Sequence, residues 1–193
     1  SKFEDVNKNG LRDVNEIGLA GWTINLQGPV TLSVQTDANG DYMFEYLPEG
    51  IYFVTESLKT GWVKTFPSFE FYNISIHPGS LVNENVDFGN FELGKILIEV
   101  SIDVNGNGTI DSTDNSPLPS GTNAIVAITK DSTYNFVTPV GNNTLSIWVY
   151  NLDIGTYEIQ QTTIPDGWIQ TTTSGTSAVT ISTSGSVGIV RFM

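Results

Sequence analysis

Apolar and polar residues alternate along most of this chain. Trp22, Ile24 and Leu26 are separated by threonine and asparagine, which is the period of two residues that is typical of a half-buried strand. The same alternation recurs in four further stretches: 30–34, 42–46, 51–56 and 69–76. Turn sequences, TDANGDY at 36–42 and LPEG at 47–50, separate these stretches. No stretch has helical spacing, so the pattern predicts an all-β protein.

The second half of the chain repeats the first. GIYFVTESLKTGW at 50–62 returns as GTYEIQQTTIPDGW at 155–168. We therefore predict two tandem β-sandwich domains, 1–92 and 93–193, each close to the usual size of such a domain. The chain begins almost within its first motif, so we expect a shortened first strand and a longer parent polypeptide.

The sequence DVNKNGLRDVNE, from Asp5 to Glu16, has the spacing of a twelve-residue calcium loop. Side-chain oxygens occur at positions 1, 3, 5, 9 and 12, and Gly10 falls at position 6, where the chain must turn. All of these ligands are oxygens, which calcium prefers. The predicted ligands are Asp5, Asn7, Asn9, the backbone carbonyl of Leu11, Asp13 and Glu16.

A second copy, DVNGNGTIDSTD, runs from Asp103 to Asp114. Its aspartate at position 12 has a shorter side chain than glutamate, so we expect it to bind through one oxygen or through water. Glycines after the first loop (Gly18, Gly21) and prolines after the second (Pro117, Pro119) argue against the helices of an EF-hand. The predicted ligands are Asp103, Asn105, Asn107, the backbone carbonyl of Thr109, Asp111 and Asp114.

Other interpretations of these motifs stay open. The two loops could be Asn/Asp/Gly-rich turns that bind nothing. Asp37 and Asp41 could extend an ion site, although Asn39-Gly40 favours a hairpin turn with positive φ. A dockerin-like docking module is disfavoured, because its two loops would have to lie close together and lead into helices.

Composition narrows the function further. The chain has 21 acidic and 8 basic residues and a net charge of −13, which disfavours nucleic acid and anionic lipid as partners and favours bound cations. It has no cysteine, and no apolar run of membrane-spanning length. One histidine, His77, makes neither a triad nor a zinc site. We predict that the protein is not an enzyme.

The order of motifs resembles the calcium-binding B domains of serine-aspartate-repeat surface adhesins, which are related to the B-type stalk domains of collagen adhesins and pilins. The resemblance rests on DxNxNGxxDxxE, GLAG, TDANGDYMFEYLPEGIYFVTE, GW and VDFGNF across residues 1–92, and on the loop and GTY…DGW in the second unit. It implies a prealbumin-like, Greek-key (Ig-like) sandwich displayed outside a microbial cell as a calcium-stiffened stalk. Adjacent domains of the same polypeptide, sister subunits or a surface ligand are the partners that it implies.

The resemblance also raises the question of a lysine–asparagine isopeptide bond assisted by an acidic residue. Glu56 stands at the position of that acid, and Gln161 replaces it in the second unit. The positions where the lysine is expected are Phe3 and Ser101. We therefore expect no such bond in either unit, and expect Glu56 at a strand surface or beside a turn.

Two function classes remain in competition. The first is a calcium-stabilised structural spacer of an exported surface protein. The second is an adhesin module that recognises a host protein or glycan, for which exposed aromatic residues would be needed. Of the four tryptophans, Trp22, Trp62 and Trp168 are expected to lie in the core or at its edge, and Trp148 is the least constrained.

Overall fold

A computed structural model describes residues 1–79, 85–109, 111–114, 116, 118–131, 134–141, 146–172 and 175–193. These residues form strands and turns but no helix, which confirms the all-β prediction, and accordingly none of them belongs to a helix that could cross a membrane. The segments after the two acidic loops are also non-helical where described; Pro117 lies outside the described residues. The chain divides into two compact units, Ser1–Glu92 and Leu93–Met193.

The first unit consists of two sheets that form a sandwich. One sheet has the order β1-β7-β5 and the other β3-β2-β4-β6. The strands are β1 (Lys2–Glu4), β2 (Thr23–Gln27), β3 (Thr31–Gln35), β4 (Gly50–Glu56), β5 (Trp62–Phe66), β6 (Tyr72–Ile76) and β7 (Phe88–Glu92). A core cluster of the first unit is formed by the buried side chains of Ile24, Leu26, Tyr52, Val54 and Phe88.

The second unit is also built from two sheets, of three and four strands. One sheet has the order β11-β8-β14 and the other β10-β9-β12-β13. The strands are β8 (Gly94–Val100), β9 (Asn123–Lys130), β10 (Tyr134–Gly141), β11 (Ser146–Leu152), β12 (Gly155–Thr163), β13 (Thr176–Ile181) and β14 (Val187–Phe192). Tyr157 occupies the place of Tyr52, and each hydroxyl donates to the backbone carbonyl four residues earlier.

The first and last strands of each unit are neighbours and run parallel. In the first unit Lys2 is opposite Phe88 and Glu4 is opposite Asn90. In the second unit β8 and β14 pair over six residues, ending with Val100 opposite Phe192. The first and last strands of each unit are therefore held side by side.

On its other side β1 contacts the segment that follows the first acidic loop. The backbone N–H of Glu4 donates to the carbonyl of Ile17, and the N–H of Leu19 donates to the carbonyl of Lys2, both at 3.0 Å. Gly18 lies so close to the 36–42 turn that an added Cβ would be 1.7 Å from the carbonyl oxygen of Asn39. Glycine is required there because any side chain would push that turn away from β1.

One predicted strand is absent. Residues 42–46 alternate as a strand would, but the structure has no strand there, and Tyr46 is 97% exposed with a φ of 56°. The equivalent strand of the second unit, β11, pairs with Gly94–Glu99 of β8. The segment packs Tyr42 and Phe44 against the core but forms no ladder.

Candidate functional site

Loop 1 (residues 5–16) is folded around its own acidic and amide side chains. The side-chain nitrogens of Asn7 and Asn9 both donate to Oδ2 of Asp13, at 2.9 Å each. The two oxygens of Asp5 accept from the backbone N–H groups of Asn9 and Gly10, at 3.0 and 2.8 Å. Loop positions 1, 3, 5 and 9 are therefore brought together, and the φ of +73° at Gly10 supplies the turn predicted at position 6.

Glu16 closes loop 1 against its backbone. Its Oε1 accepts from the N–H of Val6 at 2.8 Å, and its Oε2 accepts from the N–H of Asp13 at 3.1 Å. The side chain of Leu11, whose carbonyl is the predicted ligand at position 7, is exposed. Both carboxylate oxygens of Glu16 are thus directed into the loop.

Loop 2 (residues 103–114) repeats this arrangement closely. Asn105 and Asn107 both donate from their side chains to Oδ2 of Asp111, at 3.0 Å each. The oxygens of Asp103 accept from the N–H groups of Asn107 and Gly108, at 3.1 and 2.9 Å. The hydroxyl of Thr109 donates to the side-chain oxygen of Asn107 at 2.7 Å.

Asp114 closes loop 2 in the same way that Glu16 closes loop 1. Its oxygens accept from the N–H groups of Val104 and Asp111, at 3.1 and 2.9 Å. The shorter side chain therefore reaches both backbone groups. A hydrogen bond from the Thr113 hydroxyl is the main cause that holds the pKa of Asp111 well below its usual value, and the N–H of Gly108 lowers the pKa of Asp103.

The donor set of both loops suits a hard divalent cation. Each loop offers carboxylate and amide oxygens, and neither offers nitrogen or sulfur ligands. Asparagine occupies positions 3 and 5 of both loops, and within the described residues no point gathers three or more His, Cys, Asp or Glu side chains. The fit to calcium therefore depends on the mixed set of carboxylates and amides.

The 36–42 turn is closed by its own aspartate. Oδ1 of Asp37 accepts from the N–H groups of Asn39 and Asp41, at 2.8 and 2.9 Å. Gly40 has a φ of +79°, as the Asn-Gly sequence predicts, and its carbonyl accepts from the N–H of Lys2 at 2.7 Å. This turn thus supports β1.

A lysine, a glutamate and an asparagine meet in the interior of the first unit. Nζ of Lys2 donates to Oε2 of Glu56 at 2.8 Å and to Oδ1 of Asn90. Lys2 and Asn90 are 0% exposed, and the side chain of Glu56 is 5% exposed. We call these three residues the Lys2 cluster; β1, β4 and β7 contribute one residue each.

Aromatic residues keep water from the Lys2 cluster. Nζ of Lys2 lies 4.1 Å from the ring centroid of Trp22, which is 2% exposed and packs edge-to-face on Trp62. Burial lowers the pKa of Lys2 from 10.5 to about 8, although Glu56 opposes this shift; the charges of Lys59 and Lys64 add to it. At a given pH, a much larger fraction of Lys2 is therefore in the neutral, nucleophilic form than of an exposed lysine.

Two polar atoms of the Lys2 cluster are buried without a hydrogen-bond partner. They are Oε1 of Glu56 and Nδ2 of Asn90. Buried polar atoms are usually paired, so an unpaired one needs an explanation. Oε1 of Glu56 is an oxygen that can take up a proton. Nδ2 of Asn90 would be the leaving group if Cγ of Asn90 were attacked, and Oδ1 of the same side chain accepts from Nζ of Lys2.

The expectation for Glu56 was wrong. The residue lies at neither a strand surface nor a turn but is ion-paired in the interior with Lys2. The resemblance predicted the lysine at the position of Phe3. The amine belongs instead to Lys2, one residue earlier. In the second unit, Val100 occupies the position of Lys2 and Gln161 that of Glu56, and Val100 belongs to the apolar core. The second unit therefore lacks this chemistry.

The tryptophans differ in exposure. Trp22 is buried as predicted, and Trp62 packs against it. Trp168 and Trp148 are each 38% exposed. Trp148 lies on β11, its ring stacks on Tyr150 with 6.1 Å between centroids, and Nζ of Lys95 lies 5.2 Å from its ring.

The chain is similar to known proteins over different lengths. The SdrD B-like domain family matches residues 2–69. Serine-aspartate repeat-containing protein D of Staphylococcus aureus (strain Newman) is 41% identical over 66 residues, which are 33% of this chain and 5% of that protein. Colossin-A of Dictyostelium discoideum is 27% identical over 191 residues, which cover 81% of this chain and 2% of that protein.

Among solved structures, a streptococcal ancillary pilin is similar with a TM-score of 0.40 and 16% identity, over 99% of this chain and 60% of that one. This chain thus spans only a small part of the two much longer relatives. Its first 69 residues, which contain loop 1, Lys2 and Glu56, resemble an SdrD B-like domain, and Asn90 lies beyond that match.

Proposed function

We propose that this chain is a structural stalk module of an exported microbial surface protein, in which calcium and one covalent crosslink hold the strands in place. The observation that supports this most strongly is the Lys2 cluster, which joins the first and last strands of the first unit. A bond there fixes the fold without altering its surface, which suits a spacer. Adjacent domains of the same polypeptide, and sister subunits, are its partners.

The crosslink is an amide between Lys2 and Asn90. Lys2 first gives a proton to Glu56, and its neutral Nζ then attacks Cγ of Asn90. Glu56 delivers that proton to Nδ2 as the Cγ–Nδ2 bond breaks and ammonia leaves. The carboxylate of Glu56 then takes the surplus proton from Nζ, so that a neutral Nζ–Cγ amide remains. No oxidant or other reactant is needed. Exclusion of water by Trp22 protects the intermediate from hydrolysis.

Calcium is held by the side chains and the one carbonyl predicted for each loop, with Asp5 or Asp103 at position 1 and Glu16 or Asp114 at position 12. The ion supplies positive charge that offsets the repulsion among three carboxylates in each loop. Asparagine at positions 3 and 5 lowers the negative charge, so we expect affinities of about 10⁻⁶ to 10⁻³ M, the range of weaker and extracellular sites. An extracellular or cell-wall location supplies calcium at such concentrations.

The rate of crosslinking should be level below pH 8 and should fall above it. The reactive state has one proton shared by Lys2 and Glu56, because the amine must be neutral while the carboxyl is protonated. Since the pKa of Lys2 is about 8, the pair loses that proton as the pH rises through 8. The measurement is the fraction of chains that have lost ammonia, by intact mass, after denatured and unreacted chain is diluted into buffers of different pH.

The opposite pH dependence would contradict this mechanism. If the rate rises through pH 8, the free amine reacts without an acid, and Glu56 has no part in proton transfer. Chains that never lose ammonia at any pH would remove the crosslink from the proposed function.

The exposed pair of Trp148 and Tyr150 favours a second candidate function, an adhesin module that binds a glycan. Stacked, solvent-exposed aromatic rings offer flat apolar faces that sugars can cover. In that case the native chain binds sugars on a glycan array, and the Trp148→Ala chain does not. Equal signals from the two chains would rule out this surface as the binding site.

A further inference from the structure

Loop 1 and the Lys2 cluster share one short piece of backbone. β1 contains only three residues, with Lys2 at its start, and Asp5, the first predicted calcium ligand, follows its last residue. The N–H of Asp5 donates to the backbone carbonyl of Asn90 at 2.8 Å. Asp5, the first residue of loop 1, is thus hydrogen-bonded to the backbone of Asn90, whose side chain Lys2 attacks in the proposed crosslink.

The far end of loop 1 holds β1 from its other side. Glu16 accepts from Val6, just after β1, and Ile17 accepts from Glu4 within it. Phe3 forms an isolated antiparallel bridge with Gly18. β1 therefore lies between β7 and the segment that leaves loop 1, and its register on both sides depends on how loop 1 is closed.

From this geometry we infer that calcium binding to loop 1 gates formation of the Lys2–Asn90 bond. The inference rests on the proposed crosslink and names its regulation. Without the ion, only hydrogen bonds within the loop to Asp5, Asp13 and Glu16 keep it closed, so that β1 is released more often and Lys2 spends less time beside Asn90. With the ion, the loop closes and sets Glu4 opposite Asn90, which places Lys2 within reach.

The coupling also works in the other direction. A ligand that favours the docked state of β1 and a bond that locks this state must support each other. Once the bond has formed, β1 can no longer separate from β7, and loop 1 stays closed when the ion leaves. The crosslinked chain is therefore expected to bind calcium at loop 1 more tightly than an otherwise folded chain without the bond. In this way the bond makes permanent an arrangement that the ion sets up.

The second unit supplies a matched control. Asp111 of loop 2 accepts hydrogen bonds from two asparagine side chains, as Asp13 of loop 1 does. In the second unit, however, Val100 occupies the position of Lys2. We therefore compare the native, Asp13→Ala and Asp111→Ala chains. Each is diluted, as denatured and unreacted chain, into calcium or chelator, and ammonia loss is followed by intact mass. Tryptophan fluorescence reports the folding of each sample, and the rate of bond formation is expressed per folded chain.

We expect bond formation to be about tenfold slower in chelator than in calcium for the native and Asp111→Ala chains. The Asp13→Ala chain should be slow in both buffers. Equal rates in calcium and chelator, with the bond formed in each, would overturn the gating and leave the crosslink intact. Absence of the bond in every sample would instead overturn the proposed crosslink.

Calcium titration of chains that fold without the bond gives a second readout. The Asn90→Ala chain keeps loop 1 intact but cannot form the bond. It is expected to bind calcium at loop 1 several-fold more weakly than the native chain, while loop 2 is unchanged. Equal affinities at loop 1 would contradict the coupling.

Discussion

The native chain is expected to have the mass of its sequence less one ammonia, and the Glu56→Ala chain is expected to retain that ammonia. Glu56 is needed because it contacts Lys2 directly and holds the proton in transit. The bond closes a loop of 88 residues between Lys2 and Asn90. A crosslink of that span stabilises a fold by about 4–5 kcal/mol, chiefly by restricting the unfolded chain. Its loss should lower the melting temperature of the first unit by roughly 20–30 °C.

The position of the bond can be checked independently of the mass. Asn-Gly pairs such as Asn39-Gly40 can also lose ammonia by cyclising onto their own backbone. A proteolytic digest should therefore yield a branched peptide that joins the segments around Lys2 and Asn90. The Gln161→Ala chain, altered at the equivalent position of the second unit, should yield the same branched peptide. A native digest without it would show that the three residues are only hydrogen-bonded.

Removal of calcium is expected to lower the melting temperature as well. An ion that binds only the folded state stabilises it by roughly 3 kcal/mol at a hundredfold excess over the dissociation constant. For units of this size that corresponds to roughly 10–20 °C, measured by calorimetry in excess calcium and in excess EDTA. The shift should be greatest in the second unit, where no crosslink holds β8 to β14.

Single-site variants separate the two loops. Asp111→Ala should abolish the calcium response of the second unit, and Asp13→Ala that of the first. If EDTA leaves both transitions of the native chain unchanged, neither loop stabilises the fold through an ion, and the two loops are only turns closed by their own side chains.

The fold class could be predicted because the strands alternate and glycine, proline and asparagine mark the turns. The turns of the two acidic loops could be predicted as well, because each is local in sequence and needs only the spacing of Asp, Asn and Gly. That these loops bind calcium stays a prediction. Local alternation misled at residues 42–46. A strand needs a partner as well as a pattern, and residues 42–46 form no ladder with β1, whereas β11 pairs with β8 in the second unit.

The Lys2 cluster was missed for a different reason. Its three residues come from strands far apart in sequence, and the parallel register of β1 on β7 leaves no local signal. One signal was nevertheless available. Asp103 lies 98 residues after Asp5, and the same offset aligns Lys2 with Val100, at the end of a strand whose inward positions are apolar. A lysine at a position that is apolar core in the other unit predicts a buried amine, which requires an acidic or polar side chain beside it.

The side-by-side, parallel arrangement of β1 and β7 has a mechanical consequence. Polypeptide attached to the two ends of the first unit would pull these strands in opposite directions along their length. With Lys2 joined to Asn90, the tension passes from one strand to the other through a single amide, and the residues between them carry no load. In the second unit the same load falls on the hydrogen bonds between β8 and β14. That unit would therefore extend first under strain, while the first keeps its length.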